Sequence, residues 1–156
     1  MIQYMAPPGV PSWITGTAYA VPASVQGAIT VSAQGVDWCD GVGTSSVIVR
    51  IDTTKPRTKT AGDVTVKGGK KAGLGLRVVE PANLSPAASV VIKIRGAANM
   101  LVKSLVLANV NTNTERVVRF TCRLEAGTYM WYVYATDLAG NQQANVAHAS
   151  LTVMSH

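Results

Sequence analysis

The chain has 156 residues, of which 47% are hydrophobic and only 14% are charged, and its net charge is +6. This apolar content excludes a disordered chain, and the length allows one large or two small domains. No run approaches the ~20 apolar residues of a membrane-spanning helix, and the apolar region around 100–110 is broken by Lys103 and Asn109. We therefore expect no membrane span.

The distribution of positive charge does not favour a nucleic-acid partner. Nearly half of the basic residues lie in one linker-like region, namely Lys55, Arg57, Lys59, Lys67, Lys70 and Lys71. The remaining ones are scattered, and the sequence contains no basic helix and no basic strand with interleaved aromatic residues. The pattern predicts a solvated, slightly basic face.

Nearly every apolar run has the composition of a β-strand, because it is rich in β-branched and aromatic residues and often alternates with period two. In chain order the runs are SWITGTAYAV (12–21), AITVSA (28–33), SSVIVRI (45–51), VTVK (64–67), GLRVV (75–79), SVVIKIR (89–95), VVRFTCRL (117–124), TYMWYVYA (128–135) and ASLTV (149–153). Turn sequences such as KGGKKAG and EPANLSP separate them. Short strands at such intervals predict an all-β sandwich. The segment AANMLVKSLVLANV (97–110) fits a helical turn or a strand with a loop equally well.

The run 128–135 has the strongest alternation in the chain. Tyr129, Trp131 and Val133 fall on one face of the predicted strand, and the residues between them fall on the other. One set is expected to fill the sandwich core while the other covers a sheet face. We predict structural roles for Tyr129 and Trp131, with Trp131 in the core.

The sequence DLAGN ends this strand with a turn signal. Gly140 and Asn141 are predicted to supply the positive φ angles of a tight hairpin. Asp137 is expected to accept backbone N–H bonds within that turn. All three residues are therefore predicted to be structural.

An internal repeat defines the domain organisation. GAITVSAQGVD (27–37) aligns with GTYMWYVYATD (127–137) at an offset of 100 positions, and each copy continues into a glycine turn and a closing strand. A period of about 100 residues is the size of one immunoglobulin-like domain. The boundary is predicted at IDTTKPRT (51–58). Residues 57–156 then form one complete module, and residues 1–56 form a partial module, the second half of a repeat, with its connector.

The motifs IDTTKP after a strand and GTYMWYVYATDLAGNQQ before a final strand resemble the tandem immunoglobulin-like repeats of bacterial secreted and surface proteins. In that family an IDTTxP connector joins modules and xATDxAGN marks the turn between the last two strands. The first copy departs from this pattern, with GVDWCDGVGT at the corresponding turn. The resemblance implies an extracellular or cell-surface immunoglobulin-like protein that acts as a spacer, an adhesive stalk or a filament subunit.

Few residues suit metal or redox chemistry. The carboxylates of Asp37, Asp40, Asp52 and Asp137 are weak candidates for calcium, but no dense DxDxDG run is present, and turn capping explains them better. Cys39 and Cys122 lack the spacing of a metal site. They either pair across a long loop in an oxidising compartment or remain separate thiols. No metal or cofactor is expected.

The sequence also offers little support for catalysis. His148 precedes the last strand and His156 is terminal, without the context of a catalytic triad or a nucleophile elbow. We expect the protein not to be an enzyme. Carbohydrate binding is an alternative, because Trp13, Tyr19 and Trp38 could form a stacking face.

The partial module suggests a partner. Its three predicted strands leave an apolar face and an edge open, and open edges invite pairing with another chain. We expect copies of this chain, or adjacent immunoglobulin-like modules, to complement the missing strands in a head-to-tail assembly. The other interpretation is that the half-module packs on the neighbouring module of its own chain. A virion decoration or fibre module is the alternative function, and a surface glycan or protein is a further candidate ligand.

Overall fold

The computed structural model describes residues 2–5, 13–15, 25–36 and 39–155. The chain divides into two compact units, Met1–Asp52 and Thr53–His156, whereas the sequence places the boundary after residue 56. The described residues include no helix long and apolar enough to cross a membrane.

The first unit is a four-stranded antiparallel sheet. Its strands are β1 (Ile2–Met5), β2 (Trp13–Thr15), β3 (Gly27–Val36) and β4 (Val42–Ile51), in the order β2-β1-β3-β4. β3 and β4 form a long hairpin, with pairs running from Gly27–Ile51 to Val36–Val42. β4 is therefore an edge strand in the described part of this unit.

The second unit contains eight strands in two sheets. The strands are β5 (Arg57–Thr60), β6 (Val64–Lys67), β7 (Lys71–Val79), β8 (Ala87–Arg95), β9 (Leu101–Asn111), β10 (Glu115–Thr121), β11 (Gly127–Asp137) and β12 (Ala147–Met154). One sheet has the order β10-β7-β5 and the other β6-β12-β11-β8-β9. All neighbours are antiparallel except β6, which runs parallel to β12.

The two sheets share one apolar core. Alternate residues of β7, such as Leu74 and Leu76, are buried together with Ile92 of β8, Trp131 of β11 and Leu151 of β12. Because side chains alternate across a strand, each sheet contributes one apolar face. The second unit is thus an immunoglobulin-like β-sandwich, the fold class that the sequence predicts.

The connection between β11 and β12 differs from the predicted tight hairpin. Gly140 has a φ of +90°, but Asn141 is not among the residues with positive φ. The connection is also long, covering residues 138–146. The reason is that the chain runs along the unit before β12 begins, with the Ala144 N–H donating to the Pro56 carbonyl at 2.8 Å.

The connector also differs from the sequence prediction, and the structure of segment 97–110 decides between its two interpretations. The predicted connector and linker-like basic region contains strand residues, since β5 begins at Arg57 and Pro56 is buried. Of the two interpretations of 97–110, the strand is the correct one. Residues 97–99 form a single 3-10 turn, and β9 follows it.

Candidate functional site: open strand edges and a buried carboxylate pair

The β4 strand is exposed on both of its faces. Val47 and Ile48 are 59% and 66% exposed, and Val42 is 58% exposed. Because Val47 and Ile48 are adjacent, their side chains point to opposite sides of the sheet. Arg50 is the one charged residue of the strand. Such an edge, long and almost uncharged, is a ready site for pairing with another strand.

The second unit has a comparable edge at β9. This strand ends the five-stranded sheet in the described part of the chain and is 11 residues long. Val106 is 77% exposed, and Leu101 and Val102 are exposed as well. Its single charged residue, Lys103, is half-buried, with its Nζ 5.5 Å from the centre of the Phe120 ring.

Two other edges of the second unit are closed. β6 covers the edge of β12, with pairs from Val64–Leu151 onward. The side chain of Asn145 closes β5 as a strand would, since its Oδ1 accepts from the Thr58 N–H at 3.1 Å and its Nδ2 donates to the Thr58 carbonyl at 2.9 Å. The Thr58 hydroxyl returns the contact by donating to the Asn145 carbonyl at 3.0 Å.

An aromatic strip lies on the outer face of the five-stranded sheet. The rings of Tyr132 and His148 have centroids 5.6 Å apart, and Lys93 Nζ lies 4.8 Å from the centre of the Tyr134 ring. All of these residues belong to β8, β11 or β12. Of the aromatic residues that the sequence predicts for glycan stacking, Tyr19 and Trp38 fall outside the described residues, and of Trp13 only the strand is described.

Asp137 organises the turn after β11. Its Oδ1 accepts from the backbone N–H of Asn141 at 2.8 Å, and its Oδ2 accepts from the Asn141 side-chain amide at 3.0 Å. The backbone is also tied, because the Gly140 N–H donates to the Asp137 carbonyl at 3.2 Å. This is the capping geometry expected of an Asx residue in a turn.

A second buried carboxylate lies beside Asp137. Glu80 is 2% exposed and Asp137 is 6% exposed, and a carboxylate oxygen of one lies within 4.8 Å of the other. Glu80 Oε1 accepts from the Ala82 N–H at 3.3 Å, while Asn113 holds the Glu80 backbone on both its N–H and its carbonyl. Two like charges this close repel one another, and paired carboxylate oxygens are ligands that suit a hard cation such as Ca²⁺.

The structure describes three of the four predicted calcium candidates. Asp37 lies outside the described residues, and Asp40 is exposed in the first unit with φ at +61°. Asp52 is half-buried at the end of the first unit. Asp137 is the one that the second unit places beside another carboxylate, and that neighbour, Glu80, was not a candidate. Glu80 is the first residue of the turn sequence EPANLSP, and no local sequence pattern marks it as a metal ligand.

The two cysteines differ in exposure. Cys39 is exposed in the first unit, whereas Cys122 is fully buried in the core of the second. Among the described residues Cys122 takes part in no disulfide. Burial in apolar surroundings makes a thiol inert, so Cys122 acts as a small core residue.

No protein-family model and no curated protein matches the chain. Among solved structures, it is similar to the crystal structure of the CARDB domain of the PF1109 protein from Pyrococcus furiosus in complex with di-metal ions. The identity is 19%, the match covers 65% of this chain and 94% of that chain, and the TM-score is 0.43. The chain is also similar to a solution NMR structure of the same domain. The identity is 16%, the match covers 64% of this chain and 96% of that chain, and the TM-score is 0.42. The fold class given above rests on the sheets and core of the chain itself.

Proposed function

We propose that the chain is a non-enzymatic structural or interaction module that works outside the cytoplasm and associates with copies of itself by strand addition. The observation that carries this proposal is β4, a ten-residue edge strand with apolar side chains exposed on both faces. Proteins that remain monomeric protect long edges with charges, bulges or covering segments. β4 has Arg50 as its single charge.

A second copy of this chain is the occupant that β4 fits. β9 is 11 residues long and pairs with β8 without a register shift from Leu107 to Lys103. It too has exposed valine and leucine side chains and a single charge. One chain therefore carries a long edge strand with exposed apolar side chains on each of its two units. Pairing β4 of one copy with β9 of the next gives a heterologous contact, which builds a ring or an open filament rather than a two-fold dimer.

The extracellular placement rests on the resemblance to tandem bacterial surface repeats, carried by IDTTKP and TDLAGN. A virion decoration or fibre module, the alternative function, would use the same edges. The genes beside this one distinguish the two settings: secretion genes support a surface protein, and capsid genes support a virion component.

Light scattering across micromolar concentrations tests the self-association. We expect the natural chain to grow with concentration, and Ile48→Lys and Val106→Lys each to reduce the growth, because a lysine on an edge strand opposes pairing. Both positions are exposed, so each variant is expected to retain its melting temperature. Gln142→Lys, which adds the same charge in an exposed loop, serves as the control.

Mixing the two edge variants identifies the interface. Under head-to-tail pairing, Ile48→Lys retains an intact β9 and Val106→Lys retains an intact β4. An equimolar mixture should therefore form a heterodimer that does not grow further, because both of its remaining edges carry a lysine. If β4 pairs with β4 instead, Ile48→Lys alone abolishes association and the mixture gains nothing. A natural chain that stays monomeric at every concentration overturns the proposal.

A further inference from the structure

The outer face of the three-stranded sheet is strongly basic. Core residues of β7 occupy even positions from Ala72 to Val78, so its odd positions face outward. The strand pairings extend this face to both neighbours, because antiparallel partners point to the same side. Five cationic residues and one carboxylate share it: Arg57, Lys59, Lys71, Arg77, Arg119 and Glu115.

A cavity opens in this face. Its volume is about 230 Å³, and the outward residues that line it are Lys59, Ala61, Gly75, Arg77, Glu115 and Val117. Gly75 allows Ala61 to pack closely against it, because a Cβ at position 75 would lie 2.7 Å from the Cβ of Ala61. A side chain at this position would therefore displace Ala61 from the cavity lining.

The two ends of the cavity differ in chemistry. At one end Arg77 is the cross-strand partner of both Lys59 and Glu115. At the other end Ala61 and Val117 flank the glycine and provide apolar walls. The charged end thus carries two outward cations and one carboxylate, and Arg116 is a third cation in the cavity lining.

Arg77 has an unused donor in this place. Its Nε is buried, and no hydrogen-bond acceptor in the described part of the chain reaches it. A buried donor without a partner is costly to leave in that state. An oxyanion in the cavity would supply the acceptor, since a guanidinium binds carboxylates through two parallel N–H groups.

We propose that this cavity binds a carboxylate on a short apolar stem, either as a small molecule or as the end group of a larger ligand. The alanine and valine walls suit a short aliphatic segment. The volume lies below the ~300–1,000 Å³ of pockets for drug-sized ligands, so one end group fills it.

NMR titration of the full chain with butyrate tests the site, with butyramide and inorganic phosphate as comparison probes. We expect saturable shifts at the Arg77 Nε–H and the Gly75 amide with butyrate. Butyramide, which has no charge, and phosphate, which has no apolar stem, are expected to bind more weakly. Arg77→Gln is expected to weaken butyrate binding by about tenfold or more, as for loss of a charged hydrogen bond. Glu115→Gln is expected to tighten it.

Arg119→Gln is the matched control, because it removes the same charge from the same face but lies beside Gly73, outside the cavity lining. It is expected to leave butyrate affinity nearly unchanged. Should Arg77→Gln fail to fold, the opposite responses to Lys59→Gln and Glu115→Gln provide the test. Equal losses with Arg77→Gln and Arg119→Gln, or equal binding of butyrate and butyramide, would overturn the proposal.

Discussion

β4 and β12 close the two copies of the internal repeat, yet their surroundings are opposite. In β12, Leu151 is fully buried and Val153 is 3% exposed, whereas in β4 Val47 and Ile48 are more than half exposed. Both strands pair with the strand that precedes them in the repeat. The difference therefore lies in the other partners: β12 has β6 on its far edge and a second sheet across its inner face. The alternation within a strand determines which residues share a face, whereas burial of that face depends on whether other strands of the module pack against it.

The pairing of the two copies shows how the repeat tolerates a change in length. Gly27 pairs with Ile51 in the first copy, and Gly127 pairs with Val153 in the second. The second copy is therefore longer by two positions. An even insertion keeps every side chain on its original face, while an odd one would invert them all. The long connection at 138–146 accommodates the additional residues.

The largest effect that we expect comes from the core strand of the closed copy. Trp131→Ala should lower the free energy of unfolding of the second unit by about 3–5 kcal/mol, the usual cost of a large-to-small core substitution. Its equivalent in the first copy, Val31, is half-buried, so Val31→Ala should cost much less. Urea unfolding of the full chain measures both.

Trp131→Phe provides the control for this comparison. The Trp131 Nε1 is buried, and no hydrogen-bond partner reaches it from the described residues. Phenylalanine removes that unsatisfied donor while retaining most of the ring volume, so its cost should be well below that of alanine. Equal losses for phenylalanine and alanine would show that volume is not what Trp131 contributes.

A smaller effect is expected where a side chain closes an edge. Asn145→Ala removes both side-chain hydrogen bonds to the backbone of Thr58. Thr58 is only 2% exposed. Leaving a buried backbone group unsatisfied costs about 1–3 kcal/mol, and thermal unfolding should show a loss of that order. Gln142→Ala, in the same loop, is the control. A melting temperature as high as that of the natural chain would mean that the β5 edge closes without this residue.

The sequence predicts the strands better than it predicts their partners. The alternation around Trp131 marks a core strand, because burial on one face is a local property of period two. In contrast, the parallel pairing of β6 with β12, the contact of Asn145 with Thr58 and the cavity beside Arg77 join residues distant in the chain. No local pattern encodes such contacts. The conformation of Asn141 was wrongly predicted for a related reason, since the length of its loop is set by contacts with Pro56 and Thr58.

The smallest effect concerns the contact that holds β6 against β12. Asp63 precedes β6, and its Oδ1 accepts from the Ser150 backbone N–H at 2.8 Å. This hydrogen bond, together with one from the Ser150 side chain, holds the pKa of Asp63 below its ordinary value of 3.8. Because the pKa is lower in the folded chain than in the unfolded chain, the stabilisation is present above the unfolded pKa and is lost as the pH falls through the folded pKa.

Asp63→Asn should therefore flatten the dependence of stability on pH in this acid range while changing stability at neutral pH only slightly, since the asparagine oxygen still accepts the N–H bond. Asp63 is fully exposed, so solvent and salt should weaken the effect. Urea unfolding between pH 2 and pH 6 measures it, with the exposed Asp40→Asn as the matched control in the first unit. If both variants show the same pH profile, the Ser150 contact does not stabilise the closed edge.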